Sequence, residues 1–359
     1  MSRNKYWIIF YISKIVYMFF AIFVYSKFTM LGDTDSYIYS SYTLNYPMNS
    51  THIIGYFASR IHTYFGTIFT HIVFLSLSFY GIYYSVSRLR LSNKELLYIF
   101  LLLSLPSFGV WTSIVSKESI GVLYMGIILG YFIDLMENKK RKIKFIEYFA
   151  LCLLYIFKIQ YFSAILSLWI FIKVSNVLSL KSNGKSLFLF IYILITISFF
   201  YYFRDYINDI SFKMPEHFSL NGGSTRENIF WIKDYDVFFN APYGMFIAFW
   251  GPTLSEVINK PIQGIVFMES FVIFTLFVCF LYRALLLTIE TKKINIFYLS
   301  ILLIVLFWLL FVHYPFGVLN PGSALRYREN FYAFLVVFIF YLYQKIKLRC
   351  QVEKNSNIY

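Results

Sequence analysis

Apolar residues in this chain gather into blocks of about 17–22, the length that crosses a hydrocarbon core roughly 30 Å thick. The blocks predict helical spans near residues 6–26, 64–84, 95–110, 117–136, 145–158, 161–176, 187–203, 263–284, 296–314 and 330–345. Between residues 145 and 179 the apolar run is too long for one simple span, and FKIQY interrupts it at Lys158 and Gln160. That stretch reads as a tight hairpin, or as one long tilted helix, which would change the parity of the spans. A β-barrel would alternate in segments of about ten residues instead. The expected class is therefore an all-α polytopic integral membrane protein, a single membrane domain over residues 1–359 with about ten transmembrane helices.

Composition agrees with the pattern. The chain is 59% hydrophobic and 14% charged, whereas soluble domains carry roughly 25% charged residues. The basic start of MSRNKYWIIFYISKIVYMFFAIFVY has no small-residue cleavage site after its apolar run, so it reads as a retained first helix. Cys152 and Cys279 lie in apolar runs and Cys350 in a basic tail, which gives neither a disulfide framework nor a zinc spacing.

The net charge of +14 reads as a topology signal, not as nucleic-acid binding, because no separate basic domain is present. With both termini cytoplasmic, the segments SVSRLRLSNKE, ENKKRKIK, KVSNVLSLKSNGKS, TIETKKIN and the tail QKIKLRCQVEK fall inside, and they hold most of the lysines and arginines. This is the positive-inside arrangement. Two long loops then face the periplasm, 27–63 and 204–262. Loops of this length are uncommon unless functional or disordered, and these are too aromatic for disorder. The larger contains NIFWIKDYDVFFNAPYGMFIAFWGP and is expected to form short interfacial helices. No internal repeat of the kind found in many secondary transporters stands out.

Candidate chemistry lies at the ends of spans on that face. In PSFGVWTSIVSKES, Pro106 and Gly109 should end one span, Trp111 suits an interface anchor, and Ser113 or Ser116 can cap the next helix. Glu118 in the first turn agrees with the helix dipole, but Lys117 opposes it by roughly 0.3–1 kcal/mol. Lys117 and the helix terminus could together hold an anion, with Glu118 positioning the lysine or taking a proton. The structural alternative is a snorkelling lysine with a local acid partner.

In NPGSALRYRENF, Asn-Pro-Gly marks a turn and Arg326 and Arg328 open the last span. Extended, the two guanidiniums would point the same way and clamp one diphosphate. Helical, they would diverge by about 200°. Headgroup binding is the structural alternative. In GDTDSY, Asp33 and Asp35 are candidate general bases, or else the segment is a solvated turn with Asp35 or Ser36 as helix cap. Arg226 in NGGSTREN is a further candidate anion ligand. Tyr37, Trp111, Trp231, Trp250 and Tyr327 are candidate glycan-stacking rings, although aromatics at an interface are also the ordinary membrane belt. His313, at the end of a span, has no assigned role.

Together, PSFGVWTSIVSKES, NAPYGMFIAFWGPTLSE, NPGSALRYREN and GDTDSY resemble segments of Wzy-type O-antigen and capsule polymerases and related EpsG-like membrane proteins. The resemblance touches short blocks from the first span to the last. It implies a GT-C-like fold in the bacterial inner membrane with a large periplasmic loop and a periplasmic active face. It also implies a donor glycan on undecaprenyl diphosphate and, as acceptor, the next lipid-linked repeat unit. Membrane lipids and a chain-length regulator are the other implied partners. By position, Arg326 and Arg328, then Arg226 and Lys117, match the family's diphosphate-holding arginines, and a second Arg-rich loop motif is missing. The expected reaction inverts the anomeric carbon in one displacement, with Asp33 or Asp35 ahead of Glu118 as base. Diphosphate is already a good leaving group, so no metal or other cofactor is expected.

Other readings are a GT-C transferase using a polyprenyl-phosphate sugar, an O-antigen ligase, and a lipid-linked oligosaccharide flippase. A flippase predicts charges lining a path, and Lys14, Asp134, Glu147, Lys158 and Glu269 are the candidates.

Overall fold

The computed structural model describes residues 3–44, 46, 48–137, 142–178, 182–218, 226–291 and 296–356. Parts of the basic segments ENKKRKIK, KVSNVLSLKSNGKS and TIETKKIN, the end of the tail, and residues 221–225 of NGGSTREN lie outside them. Every regular element among the described residues is helical. Among the described residues, eight helices are long and apolar enough to cross a membrane: Arg3–Lys27, Ser50–Val86, Lys117–Met136, Ile159–Val177, Gly184–Tyr202, Gly264–Leu287, Phe297–Gly317 and Pro321–Leu348.

Two of the ten expected spans come out differently. The block 95–110 is two short helices, because the chain leaves the helix at Leu103 and restarts at Pro106. Proline lacks the amide a helix interior needs and is favoured at the first position of a new one. The block 145–158 ends at Phe157 after 13 residues, or about 20 Å of helix, short of the roughly 30 Å core. The next helix begins at Ile159, so Lys158 alone separates them and no open loop forms at FKIQY.

The chain divides into two compact units. The first comprises residues 1–162 and 329–338. It contains α1 (Arg3–Phe23), α2 (Thr34–Ile38), α3 (Ser50–Val86), α4 (Asn93–Leu102), α5 (Pro106–Trp111), α6 (Lys117–Met136) and α7 (Phe145–Phe157). Helix α3 starts well before the predicted span, because Asn49 caps it by accepting from the amides of Thr51 and His52. It is interrupted at Gly66, whose φ of 80° suits glycine.

Helix α6 is apolar all round, the signature of a buried helix, and its spanning window is entirely buried. Glycines allow this. A Cβ at Gly81 of α3 or Gly126 of α6 would collide with the backbone of the other helix, and Gly121 leaves room for Asn330. Small residues at such crossings let membrane helices approach closely. Away from this core, Arg88 pairs with Asp134 at 3.0 Å and Tyr84 donates to Glu147 at 2.7 Å. Two of the charges expected for a transport path are therefore engaged in local pairs.

The second unit comprises residues 163–328 and 339–359. It contains most of α8 (Ile159–Val177), then α9 (Ser182–Tyr202), α10 (Arg204–His217), α11 (Asp236–Phe239), α12 (Ala241–Trp250), α13 (Leu254–Asn259), α14 (Gly264–Thr291), α15 (Ile296–Gly317) and both ends of α16 (Pro321–Ser356). The described residues of the long segment 204–262 thus hold four short α-helices and the start of a 3-10 turn at Pro261. Met214, Phe230, Trp231, Val237, Ala241 and Ile247 from it form a core with Tyr314, Val318 and Leu319 at the end of α15.

Candidate functional site

The chain between α5 and α6, residues 112–116, is non-helical and fully buried. Non-helical backbone in a membrane is tolerated only where protein or water serves its polar groups. Here side chains from three helices serve them. Lys14 Nζ donates to Thr112 O at 3.1 Å and to Thr112 Oγ1 at 2.7 Å, and Ser78 donates to the same carbonyl. The Val115 amide donates to His71 Nδ1 at 3.1 Å, and Thr34 Oγ1 donates to Val115 O at 2.8 Å. Lys14, a candidate path charge in the sequence, donates here to the backbone and side chain of Thr112, and Thr34 ties GDTDSY to this break.

The break delivers the N-terminus of α6. Ser116, one of the two expected caps, accepts from the Ser119 amide at 3.0 Å. Lys117 is half-buried, and its ammonium donates to Thr51 Oγ1 at 2.8 Å in the first turn of α3. Two positively polarised helix ends and a lysine therefore meet, an arrangement that favours anions. The next residue, Glu118, is fully buried, within electrostatic reach of Tyr124.

The aspartates sit at the margin of this cluster. Asp33 occupies the cap position of α2, in place of the expected Asp35 or Ser36, and accepts from Tyr37 Oη at 3.2 Å. Both Asp33 and Asp35 are exposed. Tyr37 is buried, and so is Trp111, which packs with Ala21, Leu31, Val110 and Ile114. Neither ring offers a face to a glycan, and Trp111 is a core residue instead of an interface anchor.

In the second unit the sequence expectations change more. Residues 326–328 are helical. Asn320 accepts from the Ser323 amide at 2.9 Å and Pro321 opens α16, so the clamp that needed an extended chain does not form. Arg326 and Arg328 point about 200° apart. Arg328 is buried: its guanidinium donates to Phe249 O and Ser270 Oγ and lies 4.0 Å from Glu269. Arg326 is half-buried.

Arg226 is also committed internally. It grips Glu256 through two bonds of 2.6 and 3.1 Å and donates to the carbonyls of Gly317 and Val318. Burial pushes the Glu256 carboxyl up, but the bonds from Arg226 and Thr253 outweigh it and hold the group below its ordinary range. Trp231 is buried and donates to Tyr314 Oη at 2.6 Å, a structural pair and not a stacking platform. His313 is buried, with Nε2 3.1 Å from Ala248 O. Tyr327 is half-buried against Phe316. Trp250 lines a cavity of about 290 Å³ walled also by Tyr243, Phe246, Phe271 and Phe274.

Sequence reasoning missed His52 and His71. His52 carries a local signal, since NSTH reads as a helix cap and first turn. His71 sits in an apolar run and carries none.

Fold and site define a polytopic α-helical membrane protein with a cationic helix-end cluster. Comparison with protein-family models, with curated proteins and with solved structures finds no match.

Proposed function

We propose that the protein is a surface-polysaccharide polymerase of the inner membrane, related in fold to the GT-C transferases. It transfers a growing glycan from undecaprenyl diphosphate to the next lipid-linked repeat unit. The observation that carries this reading is the junction of Lys117 with Thr51, where the first turns of α3 and α6 meet beside the GDTDSY segment. The cluster offers a cation and dipoles to a diphosphate, and the Thr34 bond to Val115 O ties the exposed carboxylates of Asp33 and Asp35 to the stretch that leads into α6. In the proposed reaction the acceptor hydroxyl attacks the anomeric carbon, and the bond to the diphosphate oxygen breaks. The hydroxyl proton passes to Asp33 or Asp35. Lys117 and the α6 terminus stabilise the departing diphosphate, the kind of electrostatic effect that often dominates such transfers. Arg326 remains a candidate ligand in the second unit, whereas Arg226 and Arg328 are assigned to structure.

Deleting the gene and resolving the lipopolysaccharide on a gel tests this. A ladder collapsed to core plus one repeat supports polymerisation, loss of every repeat indicates a ligase, and an unchanged ladder refutes both. The flippase reading rests on one observation: the five charges it expects, Lys14, Asp134, Glu147, Lys158 and Glu269, are all buried, although Lys14, Asp134 and Glu147 are engaged in structural bonds. It predicts lipid-linked repeats stranded on the cytoplasmic leaflet after deletion.

A further inference from the structure

The first turn of α3 is wrapped by the chain that precedes it. The His52 ring lies against Tyr42, with centroids 4.4 Å apart and planes tilted by 30°, and meets Tyr46 edge-on at 5.1 Å. One turn on, Gly55 makes room for Tyr42 and Ser40, since a Cβ there would strike the tyrosine ring and come within 2.7 Å of Ser40 Oγ. Two polar atoms in this nest, His52 Nδ1 and Ser40 Oγ, are buried and have no hydrogen-bond partner among the described residues. Such groups are uncommon in native structures and carry a cost that a bound polar partner relieves. Tyr46, whose ring meets His52, is exposed and marks the outer side of the nest. Thr51, the neighbour of His52, holds the Lys117 ammonium.

Rings that offer flat apolar faces, two unfilled polar positions and an adjacent cation together match a sugar ring bearing a phosphate. We propose that Ser40, Tyr42, Tyr46 and His52 form a pyranose subsite beside Lys117, which receives the sugar bonded directly to phosphate. The proposal rests on the polymerase reading for its natural ligand, but it makes a separate binding claim. His52 and Ser40 hydrogen-bond the hydroxyl rim, the tyrosines take the ring face, and Lys117 takes the phosphate.

The test uses the full chain in lipid nanodiscs. The probes are glucose, galactose and N-acetylglucosamine 1-phosphates, with inorganic phosphate and methyl glucoside as fragments, and binding is followed by saturation-transfer NMR. The wild type should bind at least one sugar 1-phosphate more tightly than either fragment. His52→Phe keeps a ring but removes the nitrogens, and should weaken that sugar phosphate by about tenfold, or about 1.4 kcal/mol, while leaving inorganic phosphate unchanged. Ser40→Ala, a one-atom deletion, serves if the His52 variant fails to fold. Binding of none of the sugar phosphates, equal binding of phosphate and sugar phosphate, or indifference to both variants overturns the subsite. The polymerase reading is judged separately, by the ladder: an unchanged ladder with selective loss of sugar phosphate in His52→Phe sinks polymerisation and leaves the subsite standing.

Discussion

Replacing Arg226 with alanine separates a staple from a substrate ligand. The side chain makes four hydrogen bonds, two to Glu256 and two to the carbonyls that end α15. Its backbone amide adds a bond to Leu319 O at 2.6 Å. Hydrogen bonds to charged groups contribute about 1.5–3 kcal/mol each when isolated, and removing one partner of a well-buried pair costs about 3–5 kcal/mol. Side-chain exposures of 12% for Arg226 and 22% for Glu256 call for a discount against the fully buried case. The expected loss is about 2–4 kcal/mol, a fall in Tm of roughly 4–8 °C at about 2 °C per kcal/mol. Thermal unfolding of the full chain in nanodiscs reads it, and a double-mutant cycle with Glu256→Ala isolates the pair. The pH dependence follows from Glu256, whose folded pKa lies below its ordinary value of 4.5. Its contribution is complete above that value and disappears as pH falls through the lower folded one. Glu256→Gln should abolish this acid-side loss. If Arg226→Ala leaves Tm unchanged and yet polymer disappears, Arg226 binds substrate and the staple reading is refuted.

Gly81→Leu and Gly126→Leu place a side chain into the backbone of the facing helix. Each should cost at least about 1–3 kcal/mol, seen as lost monodisperse protein on size exclusion. Arg328→Met strands Glu269 in a buried site and should lower stability by about 3–5 kcal/mol, with most of it regained in Arg328→Met/Glu269→Gln, as thermal unfolding of both variants would report. Lys117→Met should reduce inorganic phosphate binding by about fivefold or more at low salt and make the remaining binding less salt-dependent. Unaltered phosphate titrations would assign Lys117 to a structural role. Arg326→Ala at matched protein level should shorten the polysaccharide ladder, and a normal ladder would remove Arg326 from the candidate ligands.

Apolar blocks made the spans legible because a membrane helix must be long and apolar regardless of its partners. The departures have local physical reasons. Asn49 extends α3 past its apolar run, and Pro106 divides a run that hydropathy alone leaves whole. NPG held a readable signal that an extended 326–328 ignored, since asparagine and proline are what a helix start uses at its cap and first position. Trp111 and Trp231 were not legible, because an aromatic side chain looks the same in a core and in a belt. Neither was the role of Arg226, whose acid partner lies 30 residues away and whose carbonyl partners lie 91 and 92 residues away. Pairings at that range depend on the tertiary path and leave no periodic trace.

Four of the buried polar residues of unit one follow from a single requirement. A buried non-helical stretch at residues 112–116 exposes amides and carbonyls that lipid cannot satisfy. Lys14, Ser78, His71 and Thr34 satisfy them from three separate helices. Removing the break would leave those side chains as unexplained polar groups in apolar helices, so break and donors specify one another. The break also fixes where α6 begins, because Ser116 caps it there and Lys117 then reaches Thr51. Below that point the glycines of α6 lock it against α3 and Asn330, with no slack for the helix to slide. The cationic end of α6 is thus placed by the packing of the whole unit before any ligand arrives. Such pre-organisation is what the proposed stabilisation of a leaving diphosphate would use, and phosphate titration of Lys117→Met separates it from a lysine that only snorkels to lipid.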